Sequence, residues 1–75
     1  MTIRVAHVGT GNAGRLALTQ LIEDPRFELV GLCVSTPEKV GKDAGELAGI
    51  GVRTGIAAVH TLDDLIATRP DCVVY

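Results

Sequence analysis

Val8-Gly9-Thr10-Gly11-Asn12-Ala13-Gly14 decides how this chain is read. The stretch spells G-x-G-x-x-G and stands between the apolar run Ile3 to Val8 and the sequence Arg15-Leu16-Ala17-Leu18. A glycine pattern alone says little. Between a strand signal and a helix signal it says more, because its chemistry depends on that setting. There the first glycine makes a tight bend, the second lets the backbone approach a pyrophosphate, and the third lets the helix pack closely. The helix N-terminus then offers unpaired N–H groups and a partial positive charge to the anion. A helix beginning near Ala13 puts Gly14, Ala17, Leu18, Leu21 and Ile22 on one face, so the packing glycine falls on the apolar stripe. The competing reading is a glycine-rich turn without a ligand, and the agreement of periodicity with motif speaks against it.

On the N-terminal side, Ile3 to Val8 predicts a strand apolar on both faces, as in a parallel sheet covered on two sides. His7 interrupts it and is expected to be a partly buried strand histidine with a local hydrogen bond. On the C-terminal side the helix runs to Glu23 and stops at Asp24-Pro25, since proline disfavours a helical residue before it. A second strand follows from Phe27 to Val34. Strand, turn, helix and strand fit into about thirty residues, the length of a βαβ unit, whose crossover is right-handed almost without exception.

From Ser35 the chain turns polar and glycine-rich. Gly41, Gly45 and Gly49 recur every four residues. Each would cost about 1 kcal/mol in a helix interior, so one or two helical turns around Asp43 to Ala48 are expected rather than a long helix. Ile56-Ala57-Ala58-Val59 predicts a short third strand. Thr61 then caps a helix with Asp63 and Asp64 in its first turn, where negative charge is favoured. Helix-start electrostatics explains this acidic pair better than acid–base chemistry or a metal site. Leu62, Leu65 and Ile66 are its predicted buried face, Arg69-Pro70 its end, and Asp71 to Tyr75 a fourth strand. The fold class is α/β: a Rossmann-type parallel sheet in β-α-β-loop-β-α-β order, incomplete, with residues 1–75 as the N-terminal part of a dinucleotide-binding domain. A substrate domain is expected beyond it.

Composition bounds the function. With 75 residues, 47% of them hydrophobic, and a net charge of -2, the chain is one small domain at most. Weak negative charge argues against nucleic acid or an anionic membrane as partner, and no apolar run nears the roughly 20 residues of a spanning helix. The chain enters a strand signal at once, without a secretory leader, so a cytoplasmic protein is expected. Cys33 and Cys72 lie far apart, each in an apolar run, without C-x-x-C or metal-ligand spacing; both are expected to be buried and reduced.

The cofactor is read from the end of the second strand. An NAD site carries an acid about 20 residues past the motif, on the ribose hydroxyls. Counting on from Gly14 reaches Val34 and Ser35, with no carboxylate. Ser35 and Thr36 offer hydroxyls instead, with Lys39 and Lys42 close behind. Hydroxyls and a lysine bind a 2′-phosphate that a carboxylate would repel. NADP(H) is therefore expected over NAD(H), which remains the other candidate. The candidate cofactor-binding residues are Gly9, Thr10, Gly11, Asn12, Ala13 and Gly14 in the turn, with Ser35, Thr36 and Lys39 after the second strand. No catalytic residue and no metal ligand is assigned.

Phe27-Glu28-Leu29-Val30-Gly31, followed by Val40-Gly41-Lys42-Asp43-Ala44-Gly45-Glu46-Leu47-Ala48-Gly49, resembles the N-terminal domain of the dihydrodipicolinate reductase family over nearly the whole chain. The nearest branch is the one with 2,4-diaminopentanoate dehydrogenases and native amine dehydrogenases. The resemblance implies a nicotinamide cofactor on Gly9 to Gly14. It further implies reduction of C=N or C=C, or the reverse amine oxidation, completed by a C-terminal domain in a homo-oligomer. Reductases of the lysine pathway resemble G-x-x-G-x-x-G at the turn and carry an acid or arginine after the second strand. Here stand G-x-G-x-x-G and Ser35-Thr36-Pro37, which favours an amine or diamino-acid substrate. The alternatives are a 4-hydroxy-tetrahydrodipicolinate reductase of lysine biosynthesis and a non-enzymatic nucleotide-sensing module. An S-adenosylmethionine-dependent methyltransferase ranks below both, because the acids such a site uses are missing around His7-Val8 and Val34-Ser35.

Overall fold

The computed structural model of the chain describes residues 2–74, and of Asn12 and Ala13 the backbone alone. Strand β1 (Ile3–Val8) is the middle of a three-stranded parallel sheet, with β2 (Phe27–Cys33) on one side and β3 (Cys72–Val74) on the other. Helix α1 (Asn12–Glu23) joins β1 to β2, ending as expected at Asp24, whose N–H donates to the Gln20 carbonyl. Short helices α2 (Ala44–Ala48) and α3 (Leu62–Ile66) follow, with a 3-10 turn at Pro37–Lys39.

The stretch expected to be a third strand, Ile56 to Val59, makes two single bridges instead of a ladder: Val59 parallel to Cys33, and Ala57 antiparallel to Asp43. The reason is divided loyalty. Val59 exchanges hydrogen bonds with Leu32 and Val34, while the carbonyls of Ile56 and Ala58 accept from Ala44 and Gly41. No two successive residues pair with one strand. The Val59 bridge still places this segment outside β2, so the row runs Val59, β2, β1, β3, the order of half a doubly wound sheet.

β1 and β2 pair in register from Ile3 with Phe27 to Val5 with Leu29, then slip so that Ala6 faces Gly31 and leaves Val30 as an extra residue. Beyond the bulge, Leu32 and Val34 join Leu29 in the cluster around Leu18 of α1 and Ala44 and Ala48 of α2. Cys33 goes to the opposite cluster, with Ala6 and Leu65 of α3. Gly31 is what lets α3 settle there, since a Cβ at that position would lie 2.8 Å from Leu65 Cδ1 and 3.1 Å from Thr68 Oγ1.

The predicted face of α1 is borne out, with Leu18 and Leu21 buried. That of α3 is corrected: Leu65 is buried, but Leu62 is 50% and Ile66 61% exposed. A five-residue helix aims about one side chain per turn at the sheet, and Leu65 takes the place over Gly31. Arg4 ties the far end of α3 to β1 by donating to the carbonyls of Thr68 (2.8 Å) and Arg69 (3.2 Å). Arg69 holds a left-handed φ of 55° before Pro70. Both cysteines are free, but Cys72 is exposed rather than buried, because its strand β3 borders the described sheet on one side. Among the described residues no helix is long and apolar enough to cross a membrane, and no group of three or more potential ligands could hold a metal ion.

Candidate dinucleotide site

The glycine turn sits at the carboxyl end of the central strand, where the strand order reverses and doubly wound sheets bind their ligands. Gly9 takes a φ of +99°, a conformation that side chains disfavour, and its N–H donates to the Cys33 carbonyl at 2.9 Å. The turn is thereby pinned to β2. Gly11 is the N-cap of α1 and makes no side-chain cap; the first helical bond runs from Arg15 N–H to the Gly11 carbonyl at 2.7 Å. The earlier N–H groups of the turn have no intrahelical partner. The first turn of α1 carries no acid. A Cβ at Gly11 would meet nothing within 4 Å, so the space above the helix start is open to a ligand and would be narrowed by any side chain.

Gly14 is the packing glycine. A Cβ there would lie 3.0 Å from the Gly9 carbonyl oxygen. The close approach it permits is therefore to the end of β1 at the turn itself. His7 lies beneath, with its ring Cε1 3.8 Å from that same position. The expectation of a partly buried, hydrogen-bonded His7 is corrected: the residue is fully buried, and neither ring nitrogen has a partner among the described residues. The Gly9 backbone lies beside the ring without meeting hydrogen-bond geometry. Burial lowers its pKa from the ordinary histidine value, against a smaller opposite pull from the Gly9 backbone.

Of the residues expected after β2, Lys39 reaches the turn. Its Nζ donates to Thr10 Oγ1 at 2.8 Å, and Thr10 is only 7% exposed. Ser35 is exposed, and Thr36 half-buried at the start of the 3-10 turn with no side-chain cap bond. The structure thus joins Thr10 to Lys39 across the two loops, with Ser35 and Thr36 at the rim. The side chains of the predicted site residues Asn12 and Ala13 lie outside the described residues. Sequence reasoning passed over His60, whose Nδ1 lies 3.2 Å from the Val34 carbonyl, at the end of β2. Its position directly after a strand-like run and before a helix cap was the available signal, since that is where doubly wound sheets place ligand-facing residues. Lys42 lines a shallow hollow of about 300 Å³ together with Asp43, Glu46 and Arg53.

A parallel sheet, a glycine turn on its central strand and a helix without a side-chain cap behind it are the features of a dinucleotide-binding half-domain. Residues 3–74 match the family described as dihydrodipicolinate reductase, N-terminus. The chain belongs to that family, which makes it a domain for a nicotinamide dinucleotide, NAD(H) or NADP(H). Its relatives are oxidoreductases. It is 42% identical over 67 residues to an amine dehydrogenase of Streptomyces virginiae, covering 89% of this chain and 19% of that protein. It is 39% identical over 71 residues to a 4-hydroxy-tetrahydrodipicolinate reductase of Saccharophagus degradans, covering 89% and 25%. A structure of amine dehydrogenase from Mycobacterium smegmatis superposes with a TM-score of 0.88 at 29% identity, over 100% of this chain and 22% of that one. The chain therefore spans about a fifth to a quarter of the length of these relatives.

Proposed function

We propose that this chain is the cofactor-holding part of an oxidoreductase acting on an amine or the corresponding C=N bond, with NADP(H) preferred over NAD(H). The observation that carries the proposal is the open, acid-free start of α1 under Gly11, in a chain that resembles amine dehydrogenases in sequence and in fold. The nicotinamide supplies the hydride chemistry. The residues of this chain hold the cofactor: the turn from Gly9 to Gly14 takes the pyrophosphate, and Ser35, Thr36 and Lys39 take the phosphate on the ribose. Where an NAD site would hold a carboxylate, this rim holds two hydroxyls and an ammonium, which supports the NADP(H) preference. Substrate groups come from a further domain, and the enzyme is a cytoplasmic homo-oligomer that engages neither nucleic acid nor membrane. The charge of -2 supports the absence of nucleic acid and anionic membrane from its partners.

The second reading, a 4-hydroxy-tetrahydrodipicolinate reductase, is favoured by the 39% identity to the Saccharophagus degradans enzyme. Assaying the intact protein for amine oxidation with NADP⁺ and for reduction of dihydrodipicolinate with NADPH separates the two. Amine turnover is the expected result, and turnover of dihydrodipicolinate alone overturns it. Calorimetric titration at one fixed salt concentration tests the cofactor: tighter NADH than NADPH binding would reverse the preference.

A further inference from the structure

We infer that Thr10 determines cofactor specificity by positioning Lys39, so that the pair, rather than the lysine alone, selects the extra phosphate of NADP(H). The inference rests on the proposal above that Lys39 faces that phosphate. Thr10 occupies a position that the glycine motif leaves open to any residue, and the pyrophosphate needs only the backbone there. Yet its side chain is buried, and a buried hydroxyl requires a partner. The partner comes from the other loop: Lys39 Nζ, at 2.8 Å.

Lys39 starts from a rigid base. Its own N–H donates to the Thr36 carbonyl at 3.0 Å, and the next residue, Val40, donates to the Pro37 carbonyl at 3.2 Å. Anchored at the tip by Thr10 and at the root by this turn, the side chain has given up the rotamer freedom that an unanchored lysine would lose on binding an anion. An ammonium has three donors and a hydroxyl one. Thr10 accepts one ammonium proton. The other two, and the hydroxyl's own proton, have no acceptor among the described residues. Thr10 follows β1 and Lys39 lies in the 3-10 turn after β2, so the pair spans the carboxyl ends of two adjacent strands, where a dinucleotide would be held.

The test measures dissociation constants for NADPH and NADH in the intact protein and in Lys39→Met, Thr10→Val, Thr10→Ala, Thr10→Ser and the Lys39→Met/Thr10→Val double variant. Thermal unfolding is followed in parallel to exclude misfolded variants. Lys39→Met is expected to lower the NADPH-over-NADH preference about tenfold, the scale of one lost charge-assisted hydrogen bond. Thr10→Val and Thr10→Ala lower it about threefold to fivefold, Thr10→Ser restores it, and the double variant falls no further than Lys39→Met, since coupled residues are not additive. An unchanged preference in Lys39→Met sinks the underlying phosphate reading. A loss in Lys39→Met with none in Thr10→Val and Thr10→Ala keeps that reading and overturns the role of Thr10. Equal losses for both cofactors in the Thr10 variants assign the hydroxyl to the shared pyrophosphate and also overturn it. A gain in NADPH affinity would make Thr10 a latch that holds the lysine away.

Discussion

Three helices start in this small fold, and they start in two different ways. At α2 the Asp43 carboxylate accepts from Gly45 N–H at 2.8 Å, and from the N–H groups of Thr54 and Gly55 across the loop. At α3 the Thr61 hydroxyl accepts from Asp64 N–H at 3.1 Å. Both first turns carry acids, Glu46 in one and Asp63 with Asp64 in the other. The positive ends of these helices are answered from within the chain. Helix α1 has a glycine cap, no acid and open space over Gly11. Among the described residues the α1 start has no side-chain cap, and it lies at the end of the central strand, where the proposed cofactor would supply the partner. The proposed ligand-binding end is thus marked as much by the two ends that are capped as by its own glycines.

Substitutions can break this contrast. The largest effect is expected for Asp43→Ala, which frees three backbone donors at once and should cost about 2 to 3 kcal/mol of stability in chemical denaturation. A loss well below 1 kcal/mol would mean that the α2 start is not held by its cap. Gly11→Ala should weaken NADPH and NADH alike by about tenfold, or about 1.4 kcal/mol. Its stability should change by less than about 1 kcal/mol, because the added Cβ meets open space. Unimpaired binding would show that the space above Gly11 is not the pyrophosphate site. Thr61→Ala should cost about 1 kcal/mol of stability and leave cofactor affinity alone; a loss of affinity would blur the distinction between the ends.

Acid sharpens the comparison further. Hydrogen bonds from the Thr54, Gly45 and Gly55 backbone lower the Asp43 pKa from its ordinary 3.8 to about 2. Its depressed pKa means that its contribution is complete above the ordinary carboxylate range and is lost as pH falls toward 2. The stability advantage of the native chain over Asp43→Asn, followed by denaturant titration, should therefore shrink across that window. An advantage constant from pH 5 to pH 2 would show that the charge of Asp43 does not stabilise the cage.

Much of this was legible in the chain. Punctuation residues act locally, so Gly9 to Gly14, Asp24-Pro25 and Thr61 marked the turn, the end of α1 and the start of α3. The depth of burial was not legible, because it depends on neighbours far away in sequence. Leu62 and Ile66 follow a helical period, yet α3 is too short to bury them, and the spacing does not reveal that Gly31 accepts Leu65 alone. His7 reads as half-buried until Gly14 brings α1 down over it. Ile56 to Val59 has strand composition, but its carbonyls are drawn off by Gly41 and Ala44. At the site, the sequence singled out Lys39 and Thr10 separately. Their contact spans 29 positions and follows only from the pairing of β1 with β2.

That pairing carries a phase change. Because side chains alternate along a strand, the extra residue at Val30 exchanges odd and even positions for the rest of β2. Leu29 and Leu32, three apart, share one side, while Gly31 and Cys33 take the other. The strand thus counts residues in a way that the loops around it do not. One residue added to or taken from β2 would invert the parity of everything after it. Leu32 would turn toward α3, Cys33 toward α1, and the turn bearing Lys39 would leave the sheet on the wrong side of Thr10. In this domain, length tolerance is set by parity, and the tightest arithmetic lies in the strand just ahead of the cofactor rim.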